Sequence, residues 1–407
     1  MKRGLVADAR AAAAATLTKA ILGLVVSALI AFRVPDHAAA GYFQLLILQS
    51  AFITFVSGAA FVRGAKASGD GDASMSLVRE QLRFVPFTFA VAYPALLFFL
   101  PKDYLGQSNS VALIGLLLLL SGSLSAVVGL MQGLLVSYVG RTRIFAPVMI
   151  ANLAGCAALG LLWGRLNLLT ISAVLCGVQL WVLVELLLRH PQARGWLTQW
   201  KIFKSSGGDR IGYDSLYIGI VNTIFLVAMF AVREYWKTHQ TAALASNVFF
   251  LLRISDTALQ VPFLVLGSNA TLIAAGESRL LSSLNTRRLA VIGFAVVFAI
   301  SMSALVLLGQ EIALQGIVWL ILAQGFVDLM RLPASTANIS LLMRPTASSY
   351  ALTTVCGVAI ASGILFFTGL LVRPEGVYLF LALLSAIQLV GAYVAARAAH
   401  LRAPALP

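Results

Sequence analysis

Long apolar segments constrain this chain more than any other feature. Roughly twelve of them tile the sequence, most near the ~20 residues that a helix needs to cross ~30 Å of hydrocarbon. They fall at 15–32, 42–62, 84–101, 109–138, 146–164, 167–188, 214–232, 241–274, 289–310, 312–343, 347–371 and 376–396. The stretch from Tyr104 to Gly140 has no charged residue, nor does that from Pro345 to Val372. In hydrocarbon every backbone N–H and C=O must be satisfied internally, which leaves helices or closed barrels. The runs are continuous and do not alternate, so helices follow. The expected fold class is all-α: a polytopic membrane protein of about twelve transmembrane helices, in two six-helix bundles around a central cavity.

Charge placement supplies the topology. If the N-terminus is cytoplasmic, 21 of the 29 Lys and Arg lie on that side, counting Lys19 at the inner end of the first span, and only six lie in the outer gaps: Arg33, Lys102, Arg165, Arg233, Lys237 and Arg373. Arg253 and Arg331 lie inside spans. This is the positive-inside bias of a bacterial inner-membrane protein with both termini cytoplasmic. The first span follows Lys2, Arg3 and Arg10 and precedes Ala38-Ala39-Ala40, an arrangement akin to a signal peptide. Asp8 and Lys19 fit such a peptide poorly, and cleavage would leave an odd number of spans, so an uncleaved first span is expected.

Composition agrees with a membrane solvent. The chain is 60% hydrophobic and 11% charged, with a mean hydropathy of +0.93. Its net charge of +14 would suggest nucleic acid in a soluble protein. Here it reads as topogenic charge beside anionic headgroups, with no nucleic-acid partner. Cys156, Cys176 and Cys356 sit in apolar spans without metal spacing, and His37, His190, His239 and His400 form no zinc-type cluster. No metal, cofactor or catalytic residue is expected. The sequence has no GxxxxGK[ST] loop for ATP. Asp70-Gly71-Asp72 resembles a glycosyltransferase acidic pair, but no catalytic domain surrounds it, and a polar linker is the simpler reading.

The organisation is six spans plus six: a bundle at 1–188, a basic amphipathic cytoplasmic linker at 189–212, and a second bundle at 213–407. In the linker, Trp196, Trp200 and Phe203 interleave with Arg194, Lys201 and Lys204, as in a segment lying on the membrane surface. Two equal halves suggest a transporter. Gly129 and Gly133 form a small-xxx-small spacing, for which close helix packing is the default explanation. Pro86, Pro94, Pro262 and Pro333 fall within spans, where they either kink helices beside a cavity or are simply tolerated.

Charges at mid-membrane are the sharpest functional signal. Each costs about 2.5–3.5 kcal/mol at a helix centre on insertion scales and so tends to face a cavity or a partner. Arg253 and Asp256 are three apart, as are Asp328 and Arg331, so each pair shares a helix face. One reading is a polar cavity whose arginines grip an anionic headgroup through planar guanidinium forks. The other is a charge network that only holds helices together. Lys19 either snorkels to the inner interface or guards the mouth of a cavity. Gln44, Gln49, Asn247, Gln260 and Gln324 are polar groups in apolar helices that hydrogen-bond either a glycan or a neighbouring helix. Glu185 is expected to pair with Arg189 across one turn.

The stretch Gly41-Tyr42-Phe43-Gln44-Leu45-Leu46 through Gly58 to Phe61-Val62-Arg63-Gly64-Ala65-Lys66-Ala67 resembles the second span of polysaccharide translocases. These belong to the multidrug/oligosaccharidyl-lipid/polysaccharide (MOP) flippase superfamily. Leu252-Arg253-Ile254-Ser255, followed by Pro262 and small residues to Ala275, also resembles that family. The resemblance implies an O-antigen-type flippase. Such a protein moves an undecaprenyl-diphosphate-linked oligosaccharide across the inner membrane by alternating access, alongside polysaccharide polymerase and assembly proteins. It implies that Arg253 meets the diphosphate; Arg331 is added for its membrane depth. Membrane potential, H+ and Na+ all remain open as driving forces. Two alternatives stand: a cation-coupled multidrug antiporter of the same superfamily, and a membrane polymerase or glycosyltransferase.

Overall fold

The computed structural model describes residues 2–57, 60–69, 71–99, 108–136, 138–198 and 347–370. It also describes separate positions within 220–253, 295–299 and 376–390. The chain divides into two compact units, Met1–Gly219 and Ile220–Pro407.

The first unit is a bundle of α1 (Lys2–Arg33), α2 (Asp36–Ser57), α3 (Ala60–Ala67), α4 (Gly71–Phe99), α5 (Ser108–Leu135), α6 (Arg141–Leu161), α7 (Leu168–Arg189) and α8 (Pro191–Thr198). A short 3-10 turn, Trp163–Arg165, lies between α6 and α7. Among the described residues, five helices are long and apolar enough to cross a membrane: Ala11–Arg33, Asp36–Val56, Val111–Leu135, Thr142–Leu161 and Leu168–Arg189. The observed helices extend past several of the apolar segments. α1 begins well before residue 15, and α4 begins at Gly71 rather than near residue 84. Hydropathy marks only the part of a helix that lies in lipid, whereas backbone hydrogen bonding continues into polar sequence. The apolar run at 42–62 is shared between α2 and α3.

α5 is the hub of the unit and packs against α2, α3, α4 and α7; α1 packs on α6, and α6 on α7. The closest crossing is between α3 and α5. A Cβ on Gly133 would meet Phe61 O and would lie 2.9 Å from Ala65 N; one on Gly64 would lie 2.8 Å from Leu130 O and 3.0 Å from Leu134 N. Two backbones therefore touch, which needs glycine on both helices and maximises dispersion contact where lipid offers no hydrophobic drive. Gly129 has nothing within 4 Å of its would-be Cβ, so only one member of the small-residue pair makes this contact. Ser68 Oγ donates to Leu134 O at 2.5 Å just past α3, and Gly69 turns the chain at φ 95°, a conformation that favours glycine.

Other ends and contacts follow ordinary rules. Asn167 caps α7, its Oδ1 accepting from Thr170 N and Thr170 Oγ1, both at 2.8 Å. Arg33, in the last turn of α1, stacks its guanidinium 4.4 Å from the centroid of Trp163. In the second unit the Ala347–Phe367 helix ends at Gly369, φ 67°. Gly357 of this helix sits against Ile387, whose Cγ2 would lie 2.5 Å from an added Cβ.

Candidate functional site

Apart from His190, the buried polar side chains described in the first unit are amides and hydroxyls. Gln44, Gln49, Gln81, Ser121, Ser123, Gln132, Asn152 and Ser172 are all buried. Several of them hydrogen-bond neighbouring helices. Gln49 Nε2 donates to Leu118 O at 3.0 Å, Gln81 donates to Val56 O, and Ser121 Oγ donates to Leu175 O at 3.4 Å. Tyr42, wholly buried in α2, shares a 2.7 Å hydrogen bond with Ser172 of α7. Each such bond is worth about 0.6 kcal/mol in a membrane bundle. For Gln49, the helix-packing role is the one observed. Gln44 is buried on α2, whereas Lys19 is exposed on α1.

Among the described residues of both units, no Asp or Glu is buried. Glu185 is half-buried and pairs with Arg189 across one turn, as the sequence spacing indicates. No group of three or more His, Cys, Asp or Glu that could hold a metal occurs among the described residues.

In the second unit, helical positions 233 and 237 take two basic groups out of solvent. Arg233 is 1% exposed and Lys237 6%. They are four apart and so share a helix face. Lys237 Nζ lies 2.5 Å from Glu234 Oε1. The sequence places Arg233 and Lys237 in an outer hydrophilic gap; the structure buries both within helical segments. Hydropathy alone cannot see this, because burial depends on tertiary neighbours. Ser246 is buried, and Asn247 and Arg253 are half-buried. Asp256, Gln260, Gln324, Asp328 and Arg331 lie outside the described residues.

At the α7–α8 junction His190 is 8% exposed. Its Nε2 has no hydrogen-bond partner among the described residues. Burial, then the charges of Arg189 and Arg143, hold the imidazole below its ordinary value. Trp196 of α8 is buried and meets Tyr138 edge-on, with centroids 6.1 Å apart. The sequence identified the Trp196 segment as amphipathic but gave no sign that His190 would be enclosed.

No family model matches the chain, and no curated protein does. Solved structures do. An outward-facing multidrug resistance MATE family transporter of the MOP superfamily aligns at TM-score 0.57 and 12% identity, covering 98% of this chain and 95% of that one. The eukaryotic MATE transporter AtDTX14 aligns at 0.60 and 13%, covering 98% of each chain. A MOP superfamily transporter from Pyrococcus furiosus, described as having a binding pocket of reversed polarity that suggests a different function, aligns at 0.59 and 14%, covering 98% and 95%. The chain therefore has the MATE-type fold, an all-α, 12-helix membrane fold in two bundles. It is a multi-pass membrane protein.

Proposed function

We propose that the chain is an alternating-access transporter of the MOP type, its two bundles rocking about a central path, with no catalytic residues of its own. The observation that carries this is the fold likeness to MATE transporters over 98% of the chain. In this reading the protein sits in a bacterial inner membrane with both termini cytoplasmic, as the charge bias indicates.

Multidrug export coupled to a cation gradient is the cargo reading that these neighbours support, one of them being a multidrug resistance transporter. A second reading, flipping of an undecaprenyl-diphosphate-linked oligosaccharide, is favoured by a specific observation. Cation coupling asks for a carboxylate held in the membrane interior. The buried polar set among the described residues contains none, and both mid-membrane acids, Asp256 and Asp328, have an Arg three residues away. Arg253 and Arg331, with Lys19, would then meet the diphosphate, and Gln44, Asn247, Gln260 and Gln324 the glycan. Anions of this kind cannot cross hydrocarbon unaided.

One experiment separates the two. Cells lacking the protein receive wild type or Arg253→Ala, and both cationic-dye efflux and the leaflet distribution of lipid-linked sugar are measured. Efflux that collapses with the proton or sodium gradient, with normal sugar-lipid distribution, establishes the antiporter. Sugar-lipid held on the cytoplasmic leaflet, cleared by wild type but not by a normally inserted Arg253→Ala, establishes the flippase. Neither phenotype would refute transport of either cargo.

A further inference from the structure

α6 and α7 are the two least buried of the five spans. On α6 the exposed side chains Ile150, Leu153 and Leu161 recur at helical spacing along one stripe. Arg143, seven residues before Ile150, continues that stripe at its N-terminal end and is exposed. On α7 the exposed Trp181, Val184 and Leu188 form a second stripe, which ends beside Arg189, 58% exposed. The two helices run in contact: a Cβ on Gly155 of α6 would lie 2.7 Å from Val178 Cγ2 of α7. Both arginines therefore stand at the same end of one apolar wall.

They also converge. The positive charges of Arg143 and Arg189 both act on His190. Arg194, exposed, lies one helical turn beyond His190, whose carbonyl accepts its backbone N–H at 3.3 Å. Three helices thus each place an arginine near the α7–α8 junction, where Trp196 of α8 meets Tyr138. Tyr and Trp favour headgroup depth. Glu185, one turn before Arg189, is bonded to it.

We propose that this junction is a binding site for an anionic phospholipid of the adjoining leaflet. The phosphodiester would lie among Arg143, Arg189 and Arg194, and the acyl chains along the α6–α7 wall. Charge complementarity selects the occupant: a neutral-headgroup lipid gains the apolar contact but not the guanidinium contacts, and a second protein copy would have to cover three arginines. Guanidinium forks match phosphate oxygens bidentately. The inference does not depend on which cargo is moved.

The test uses the full chain, purified in detergent and titrated with phosphatidylglycerol or phosphatidylcholine, bound lipid being counted by native mass spectrometry. Wild type is expected to retain phosphatidylglycerol in preference. Arg143→Gln should weaken that retention about fivefold, and Arg143→Gln with Arg194→Gln by more than tenfold, as expected for arginines near an anionic surface. Arg143→Lys should restore part of it. Arg83→Gln, an exposed arginine of α4, should leave it unchanged. If the variants fail to insert, wild type carries the test alone, through a larger rise in melting temperature with phosphatidylglycerol than with phosphatidylcholine. Equal retention of both lipids, an Arg83→Gln loss as large as that of Arg143→Gln, or a dimer buried on α6–α7 would each overturn the proposal.

Discussion

Replacing Gly133 with Ala tests the reading of the first unit most directly. The added methyl would lie 2.9 Å from Ala65 N and 3.0 Å from the carbonyl carbon of Phe61, well inside ordinary contact of about 3.4 Å or more. Both neighbours are backbone atoms of α3, so no flexible side chain can yield, and α3 must back away from α5 as a body. That retreat would strain the mirror contact of Gly64 with Leu130 and Leu134 and the Ser68–Leu134 hydrogen bond. Overpacking of this kind costs about 1–3 kcal/mol, and the rigid neighbours place the expectation at the upper end. Alanine's better helix propensity returns at most ~1 kcal/mol. Gly129→Ala is the internal control: its methyl would meet nothing within 4 Å, so propensity alone acts and the change is neutral or slightly stabilising. Thermal unfolding of the two purified variants, followed by intrinsic fluorescence in one detergent, should show Gly133→Ala melting several degrees lower and Gly129→Ala at or above wild type. Equal melting of the two variants would refute the backbone contact as the basis of the α3–α5 crossing.

Three further outcomes are expected. Tyr42→Phe removes the buried 2.7 Å bond to Ser172 and should cost about 0.5–1.5 kcal/mol in the same melt; Ser172→Ala should cost less when combined with it than alone. Asn167→Ala leaves the first turn of α7 uncapped and should destabilise by about 0.5–2 kcal/mol, seen as faster amide exchange in that turn. His190 binds a proton more weakly folded than unfolded, so the unfolded state takes up protons first as pH falls. Stability is therefore full above the ordinary imidazole value of about 6.5 and declines below it, and His190→Gln should flatten the melting temperature between pH 7 and 5.

The α7 pair of Glu185 and Arg189, the helical character of the chain and five of its spans were legible because each depends on local sequence. A pair four apart on a helix must meet, and a continuous apolar run in lipid has no alternative to a helix. Gly129 and Gly133 looked equivalent, since both satisfy the small-residue spacing; only the path of α3 decides which one touches a neighbour. Arg233 and Lys237 looked like loop cations because hydropathy counts charge and cannot count neighbours. His190 looked incidental, and only the tertiary structure encloses it.

The sequence alone determined the solvent of this protein, its helical class and its charge bias, since transfer free energies act residue by residue along the chain. The tertiary structure alone decided which polar groups are enclosed, which glycines bring backbones together, and which arginines of α6 and α7 stand at the same end of one apolar wall. Those properties belong to pairs of residues far apart in the chain, and no local pattern encodes the distance between them.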